Sequence, residues 1–340
     1  MCPSPILVWF RDDLRLADNP ALATAAATGR PIVALYVLDE VSPGGRRLGA
    51  AARWWLHHGL AALDAALASI GGTLTLRRGP AAIVVPSVVA EIGAPAVHWN
   101  RRTVAGEIAI DRDLKTLFRE RGIEARSFQA NLLFEPRVVR TRGGGPFRVF
   151  TPFWKACLAA AAPRAPLPAP LRIPRPFGSV ESDSLDGFGL LPTAPDWAGC
   201  LAAAWTPGET SARKRLDDFL RRGLRSYELD RDRPDLDGVS RLSPHLRFGE
   251  ISPFTIWAEV EGAMATGAVS ARTGAKFLSE IGWREFSHHL LFHFPDLATR
   301  NFQARFDALA WREDPAFLSA WRRGRTGYPI VDAGLRQLRT

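Results

Sequence analysis

Lysine is scarce in this chain. Only four of its 44 basic residues are lysine (Lys115, Lys155, Lys214, Lys276), and the arginines are spread along all 340 positions. That pattern excludes a basic tail as the carrier of charge, and a GC-rich genome would produce the same bias. Cysteine is scarcer still. Cys2, Cys157 and Cys200 are far apart and form no CxxC pair, which excludes a disulfide framework and a zinc site and suits a reducing cytoplasm. No apolar run reaches the roughly 18 residues of a membrane span. The opening "MCPSPILVWFRDD" has no basic start and meets charge at once, so no secretory signal is expected. The first apolar segment is followed by "RDDLRLADNPAL", not by G-x-G-x-x-G, which argues against an ordinary dinucleotide dehydrogenase. "GGGP" at 143–146 lacks the Lys-Ser/Thr of a phosphate-binding loop and reads as a turn.

What is present is ordinary globular composition, 46% hydrophobic and 23% charged, in a chain long enough for two domains. The net charge of +9 suits a polyanionic partner. In the first third, "ILVWF" (6–10), "PIVALYVL" (31–38), "TLTLRRG" (73–79) and "AVHWN" (96–100) read as strands. Helical stretches such as residues 50–70 lie between them. This rhythm predicts a parallel α/β sheet covered on both faces. Residues 159–200 are proline-rich and patternless, the texture of a connector that crosses one domain's surface. After "WTPGET" (205–210) only helical periodicity remains. The domain reading is 1–135 α/β, 136–204 connector and 205–340 helical. The final "GYPIVDAGLRQLRT" predicts an amphipathic helix that needs something to pack on.

Several stretches carry chemistry. "SRLSP" (240–244) taken alone is a capped helix start. In "FLSEIGWREF" (277–286), Glu280, Trp283 and Arg284 lie three and four apart and share a helix face, which by itself suits an intrahelical ion pair. His289 and His293 are four apart, but no third ligand is near, so packing is the expectation. Asp18 or Asn19 is placed to cap the next helix.

Eight blocks together resemble the photolyase/cryptochrome family: "LVWFRDDLRLADNPAL", "NRRTVAGEIAIDRDL", "ANLLFEP", "GGGPFRVFTPFWKAC", "WTPGE", "SRLSPHLRFGEISP", "WREF" and "GYPIVDAGLRQL", in the family's order from residue 7 to 338. The motifs sit nearest the bacterial class I deoxyribodipyrimidine photolyases. The resemblance implies an N-terminal α/β antenna domain, a helical domain holding FAD, and light-driven splitting of cyclobutane pyrimidine dimers in DNA. Tyr227 and the turn Val239, Ser240, Arg241, Leu242 and Ser243 would grip the flavin diphosphate. Val239 replaces the family's usual Thr, so a hydroxyl is lost there, worth about 0.5–1.5 kcal/mol. Phe277 stands where a Trp is usual. Arg284 would contact the flavin, Glu280 the dimer bases, and Trp283 would stack on the extruded lesion. Trp311 matches the outermost tryptophan of the family's electron-transfer chain, and Trp321 reads as core. Arg225, Arg247, Arg312, Arg322, Arg323 and Arg325 are candidates for DNA phosphates. Glu107 matches a carboxylate that holds a folate antenna, although Gly106 replaces a neighbouring family Asn, which leaves methenyltetrahydrofolate or a deazaflavin as the antenna. The expected partner is damaged DNA, bound by a cytoplasmic monomer.

Family members continue beyond "VDAGLRQL" into a part holding the Asn at flavin N5 and the inner tryptophans, so the sequence reads as truncated within its flavin domain. Besides the repair lyase, a cryptochrome-type photoreceptor and an inert fragment stand as alternatives. Repair of pyrimidine–pyrimidone photoproducts is a weaker one.

Overall fold

The computed structural model of this chain describes residues 3–42, 47–176 and 178–339. Cys2 lies outside the described residues. Five strands, β1 (Ile6–Phe10), β2 (Ile32–Leu38), β3 (Leu74–Arg78), β4 (Ala96–Asn100) and β5 (Glu124–Phe128), form one parallel sheet in the order β3-β2-β1-β4-β5. Ile6 pairs with Ile32 on one side and Ala96 on the other. Strands covered on both faces become unbroken apolar runs, and β1 and β4 are buried at all five positions. Helices α1 (Pro20–Ala26), α2 (Ala50–Ser69), α3 (Ala81–Glu91) and α4 (Ala105–Glu120) make the crossovers. One core packs Leu7, Trp9, Val33 and Trp99 against Val85, Val88 and Phe118.

The loop after β1 is fastened by side chains. Arg15, almost wholly buried, donates to the carbonyls of Asp18, Ala130 and Gly249. Arg11 pairs with Asp111 at 2.6 Å. Asn19 caps α1 by accepting from the Leu22 N–H at 3.1 Å. Asp18, with φ +49°, accepts from the Leu167 N–H at 2.9 Å and from the Ser252 hydroxyl.

Helix α5 (Phe150–Ala159) precedes the connector. The connector is hydrogen-bonded along the α/β region: Ile173 N–H to Ile70 O, and Asp183 N–H to Leu76 O on edge strand β3, each at 2.8 Å. Then come α6 (Gly199–Ala204), α7 (Glu209–Arg222), α8 (Tyr227–Asp230), α9 (Ser243–Arg247), α10 (Pro253–Ala265) and α11 (Ala271–His293). A second core joins Phe153, Trp154 and Cys157 of α5 to Leu216, Phe254, Phe277, Ile281 and Phe286.

The chain divides into two compact units, one comprising residues up to Asp196 with Thr206–Pro295, the other Trp197–Trp205 with Asp296–Thr340. The second contains α12 (Pro315–Arg323) and α13 (Pro329–Arg339). Phe317, Leu318 and Trp321 recur at helical spacing on α12, yet no α12 side chain is buried and Trp321 is 54% exposed. This corrects its placement in a core. Ile330 and Leu338 of α13 are exposed as well. No helix among the described residues is long and apolar enough to cross a membrane.

Candidate functional site

In an open parallel sheet, ligands gather beyond the C-terminal strand ends where the strand order reverses. Here that point lies between β1 and β4, and a cavity of about 580 Å³ opens beside it. One wall comes from the loops leaving those strands, with Asp12, Arg102 and Thr103, and from Glu107 in the first turn of α4. A second comes from Tyr227 and from Ser240, Leu242, Ser243 and Arg247. The third is α11, with Phe277, Glu280, Arg284 and His288.

The turn feeding the second wall is unusual. Arg241 takes φ +51°, a conformation rare for a residue with a side chain. It directs Arg241 to an ion pair with Asp237 at 2.9 Å, so Arg241 does not line the cavity. Helix α9 that follows has only five residues, and no side chain caps it. The helix-cap reading that "SRLSP" suggests in isolation, set aside once the full set of motifs is considered, finds no capping hydrogen bond here. Among the described residues the Ser240 and Ser243 hydroxyls have no internal hydrogen-bond partner, which leaves them available to a ligand. Val239 is 42% exposed and lines a separate polar cavity with Lys214 and Arg222, a cavity that Ser240 also reaches.

Helix α11 begins with Ser270, which caps the Thr273 N–H. At 100° per residue, Phe277, Glu280, Arg284 and His288 form one stripe. Phe277 packs against Phe219 and Tyr227, with ring centroids 4.7 and 5.2 Å away. Glu280 pairs with Arg231, and at 3.8 Å with Lys276. Arg284 donates to the Asn131 carbonyl at 2.7 Å and to Glu285 at 3.3 Å. Burial raises the Glu285 carboxyl, against the pull of Arg284. Trp283 stands apart from this stripe. It does not line the cavity but stacks on Phe150 with centroids 3.7 Å apart, and it is 47% exposed.

Charges alternate across the mouth. Glu107 meets Arg102 at 3.1 Å, Arg102 approaches Asp12 at 4.0 Å, and Asp12 meets Arg247 at 2.7 Å. Burial alone would raise the Asp12 carboxyl, but Arg247 and Arg102 outweigh it and hold the group below the usual range. At Glu107 burial prevails over Arg102 and the carboxyl is raised. Burial, reinforced by Arg284, pushes the His288 imidazole down to about 3, so at neutral pH it is an uncharged ring, bonded to Thr103 at 2.9 Å.

Other expected residues lie elsewhere. Arg225 is exposed, contacts the Ala268 carbonyl and lies outside the cavity lining. Trp311, 83% exposed, Arg312, paired to Asp314, and the exposed Arg322, Arg323 and Arg325 belong to the second unit. No group of metal-binding side chains occurs among the described residues. His289 accepts from the Phe147 N–H and His293 contacts the Pro136 carbonyl, a packing role. The sequence reading missed His288, Asp12 and Arg102. The four-residue spacing from Glu280 through Arg284 was the signal for the first. The strand-order rule was the signal for the other two.

Comparison with known proteins places this geometry. A model of the DNA photolyase domain matches residues 6–171, and one of the FAD binding domain of DNA photolyase matches residues 277–340. A deoxyribodipyrimidine photo-lyase of Agrobacterium fabrum is 46% identical over 98% of this chain and 69% of its own length. Cryptochrome-1 of Arabidopsis thaliana is 35% identical over 98% of this chain, which spans only 50% of that protein. A crystal structure of a bacterial class III photolyase from Agrobacterium tumefaciens superposes with a TM-score of 0.94 at 44% identity, covering 100% of this chain and 69% of that one. The structural similarity is thus to a class III enzyme, which corrects the class I expectation. Both relatives and fold lead to one conclusion: the chain belongs to the photolyase/cryptochrome family.

Proposed function

We propose that this chain is a light-dependent DNA-repair lyase that splits cyclobutane pyrimidine dimers with FAD held in the cavity between Tyr227–Ser243 and α11. The observation that carries this reading is the division of labour around one cavity. Arginines and two serine hydroxyls form one side, a carboxylate and an aromatic ring the other, and the half-exposed Trp283 stands on the same helix as that carboxylate, outside the cavity lining.

The cavity fits a flavin dinucleotide in kind. Ser240, Ser243 and Arg247 offer donors and positive charge to a diphosphate. Tyr227, Leu242, Phe277 and Ile281 offer apolar contact to a ring system. The buried Arg102 Nε has no partner among the described residues and can donate to a bound group. When bound and reduced, FAD supplies blue-light absorption and a transferable electron. The chain's own part is to position and to exclude. Arg284, partly buried and fixed on the Asn131 carbonyl, would offer positive charge to a bound ring system. Glu280 can accept hydrogen bonds from the bases of a flipped dimer. The Trp283 face gives that dimer a stacking surface, about 1–3 kcal/mol per base. Extruding a damaged pair costs a few kcal/mol, less than for an intact one. Glu107 would help hold an antenna chromophore, methenyltetrahydrofolate or a deazaflavin, by sharing Arg102. Residues 1–135 would serve as the antenna domain, 136–204 as the connector and 205–340 as the flavin and DNA region, in a cytoplasmic monomer. Arg312 and Arg322 would add phosphate contacts, and Trp311 would be the outer relay for electrons.

A visible absorption spectrum of the purified protein, followed by a repair assay, tests this. Flavin bands and blue-light loss of dimers from a damaged oligonucleotide are expected. A colourless preparation would end the flavin reading, and flavin bands with persistent dimers would turn it to a cryptochrome-type photoreceptor.

A further inference from the structure

From Pro136 to Val180 the chain contains no aspartate or glutamate, but it contains seven arginines and one lysine. At the average for this protein a stretch of that length would hold about five acidic residues, so the segregation is strong enough to create a local positive field. Four of these arginines, Arg137, Arg140, Arg142 and Arg148, sit on one exposed loop. None forms an ion pair among the described residues.

The loop is not a loose tether. It is draped along the last turns of α11: His293 contacts the Pro136 carbonyl at 3.0 Å, and the Phe147 N–H donates to His289 at 3.1 Å. Arg137 lies over the Phe292 ring at 5.5 Å and Arg148 over Phe294 at 5.0 Å. Such ring contacts fix a guanidinium without neutralising it. Within the loop, Arg140 donates to the Arg137 and Gly144 carbonyls. The loop then runs directly into Phe150, the ring on which Trp283 is stacked. Trp283 lies about 60° round α11 from Glu280, between the face that carries the loop and the face that lines the cavity.

We propose that the Arg137–Arg148 loop is a phosphate-contacting surface for the DNA backbone beside the base presented at Trp283. The inference rests on the repair reading for the identity of its partner. The Arg137 and Arg148 guanidinium groups, held over rings and without an ion pair among the described residues, suit bidentate contact with phosphate, and an aromatic platform beside them suits a strand whose bases are splayed. Nothing in the loop reads bases, so its contribution is equal for damaged and intact DNA.

The test is equilibrium binding by fluorescence anisotropy, across a salt series, to one duplex with and without a single cyclobutane dimer. The wild type is compared with R137Q/R140Q/R142Q/R148Q and with R140Q/R142Q, whose side chains touch only loop backbone or solvent. R119Q/R121Q, at the C-terminal end of α4 and outside the cavity lining, is the control for net charge. The slope of log K against log[salt] should fall by about 0.9 for each phosphate no longer neutralised, in the loop variants alone and on both duplexes. An unchanged slope, or a control whose slope falls as much, overturns the proposal. A wild type that binds intact and damaged duplex equally, with the slope change present, sinks the repair reading and leaves the loop standing. A wild type with no affinity for either duplex sinks both.

Discussion

Gly249 packs so closely on Asp12 that a Cβ at Gly249 would lie 2.0 Å from the Asp12 carbonyl oxygen. Gly249 also holds φ +66°, where a side chain costs about 1–2 kcal/mol before any overlap is counted. This contact sets the turn after α9 against the turn after β1, and so sets two walls of the cavity. G249A should lose about 3 kcal/mol or more of stability in urea unfolding. A loss under about 1 kcal/mol would show that the two turns can separate freely.

The Ser240 and Ser243 hydroxyls have no hydrogen-bond partner among the described residues, so removing them costs the fold little. S240A/S243A should keep its thermal midpoint within a few degrees while releasing FAD more readily, by about 2- to 12-fold per hydrogen bond removed. Flavin fluorescence on dilution reads the release. Unaltered retention would place the diphosphate elsewhere.

Glu280 is partly exposed and paired with Arg231, so E280Q should change stability by less than about 1 kcal/mol. Flavin absorption should be retained, and the yield of dimer splitting per absorbed photon should drop several-fold. Equal yields in the two proteins would remove Glu280 from the lesion.

Trp283 lies outside the cavity lining, half-exposed and stacked on Phe150. W283A should weaken binding of dimer-containing DNA by about 10-fold or more, as expected from removing one stacking surface, and leave affinity for intact duplex nearly unchanged. A matching drop on both DNAs would assign Trp283 to general binding.

His288 provides a pH signature. Its folded value of about 3 lies below the unfolded 6.5, so the unfolded chain binds the proton first. The stability it gives is complete above about pH 6.5 and is lost as the pH falls towards 3. The ring is part-exposed at the cavity, which screens the effect to about 1–3 kcal/mol. The wild type should lose that much more than H288Q between pH 7 and 4 in urea titrations. Glu285, raised by burial, has the opposite sign but is present in both proteins and cancels. Superimposable pH curves would contradict the assignment.

β1, β2 and β4 were legible because burial on both faces favours apolar runs. β3, one sheet edge, was legible from its alternating Thr and Leu, whereas β5, the other edge, holds Glu124, Arg126 and Ser127 among its five residues and shows no such pattern. The flavin wall was legible only as a set of motifs: "SRLSP" alone suggests a helix cap, and the structure leaves that helix uncapped. Asp12 and Arg102 were hidden because they are ordinary loop residues until the strand order brings them together. Trp321 misled because a tryptophan at helical spacing implies a core, whatever the actual cover of that helix.

Arg15 donates to the carbonyl of Gly249, and Asp18 accepts from Ser252; both partners lie 234 positions further along the chain. At about 5–20 residues per second, a ribosome delivers the second of each pair roughly 10–50 s after the first. Throughout that delay a guanidinium destined for the interior waits without one of its acceptors. Until the helical half emerges, water takes the place of the Gly249 carbonyl, and the α/β half completes its buried hydrogen bonds only when its partner segment arrives.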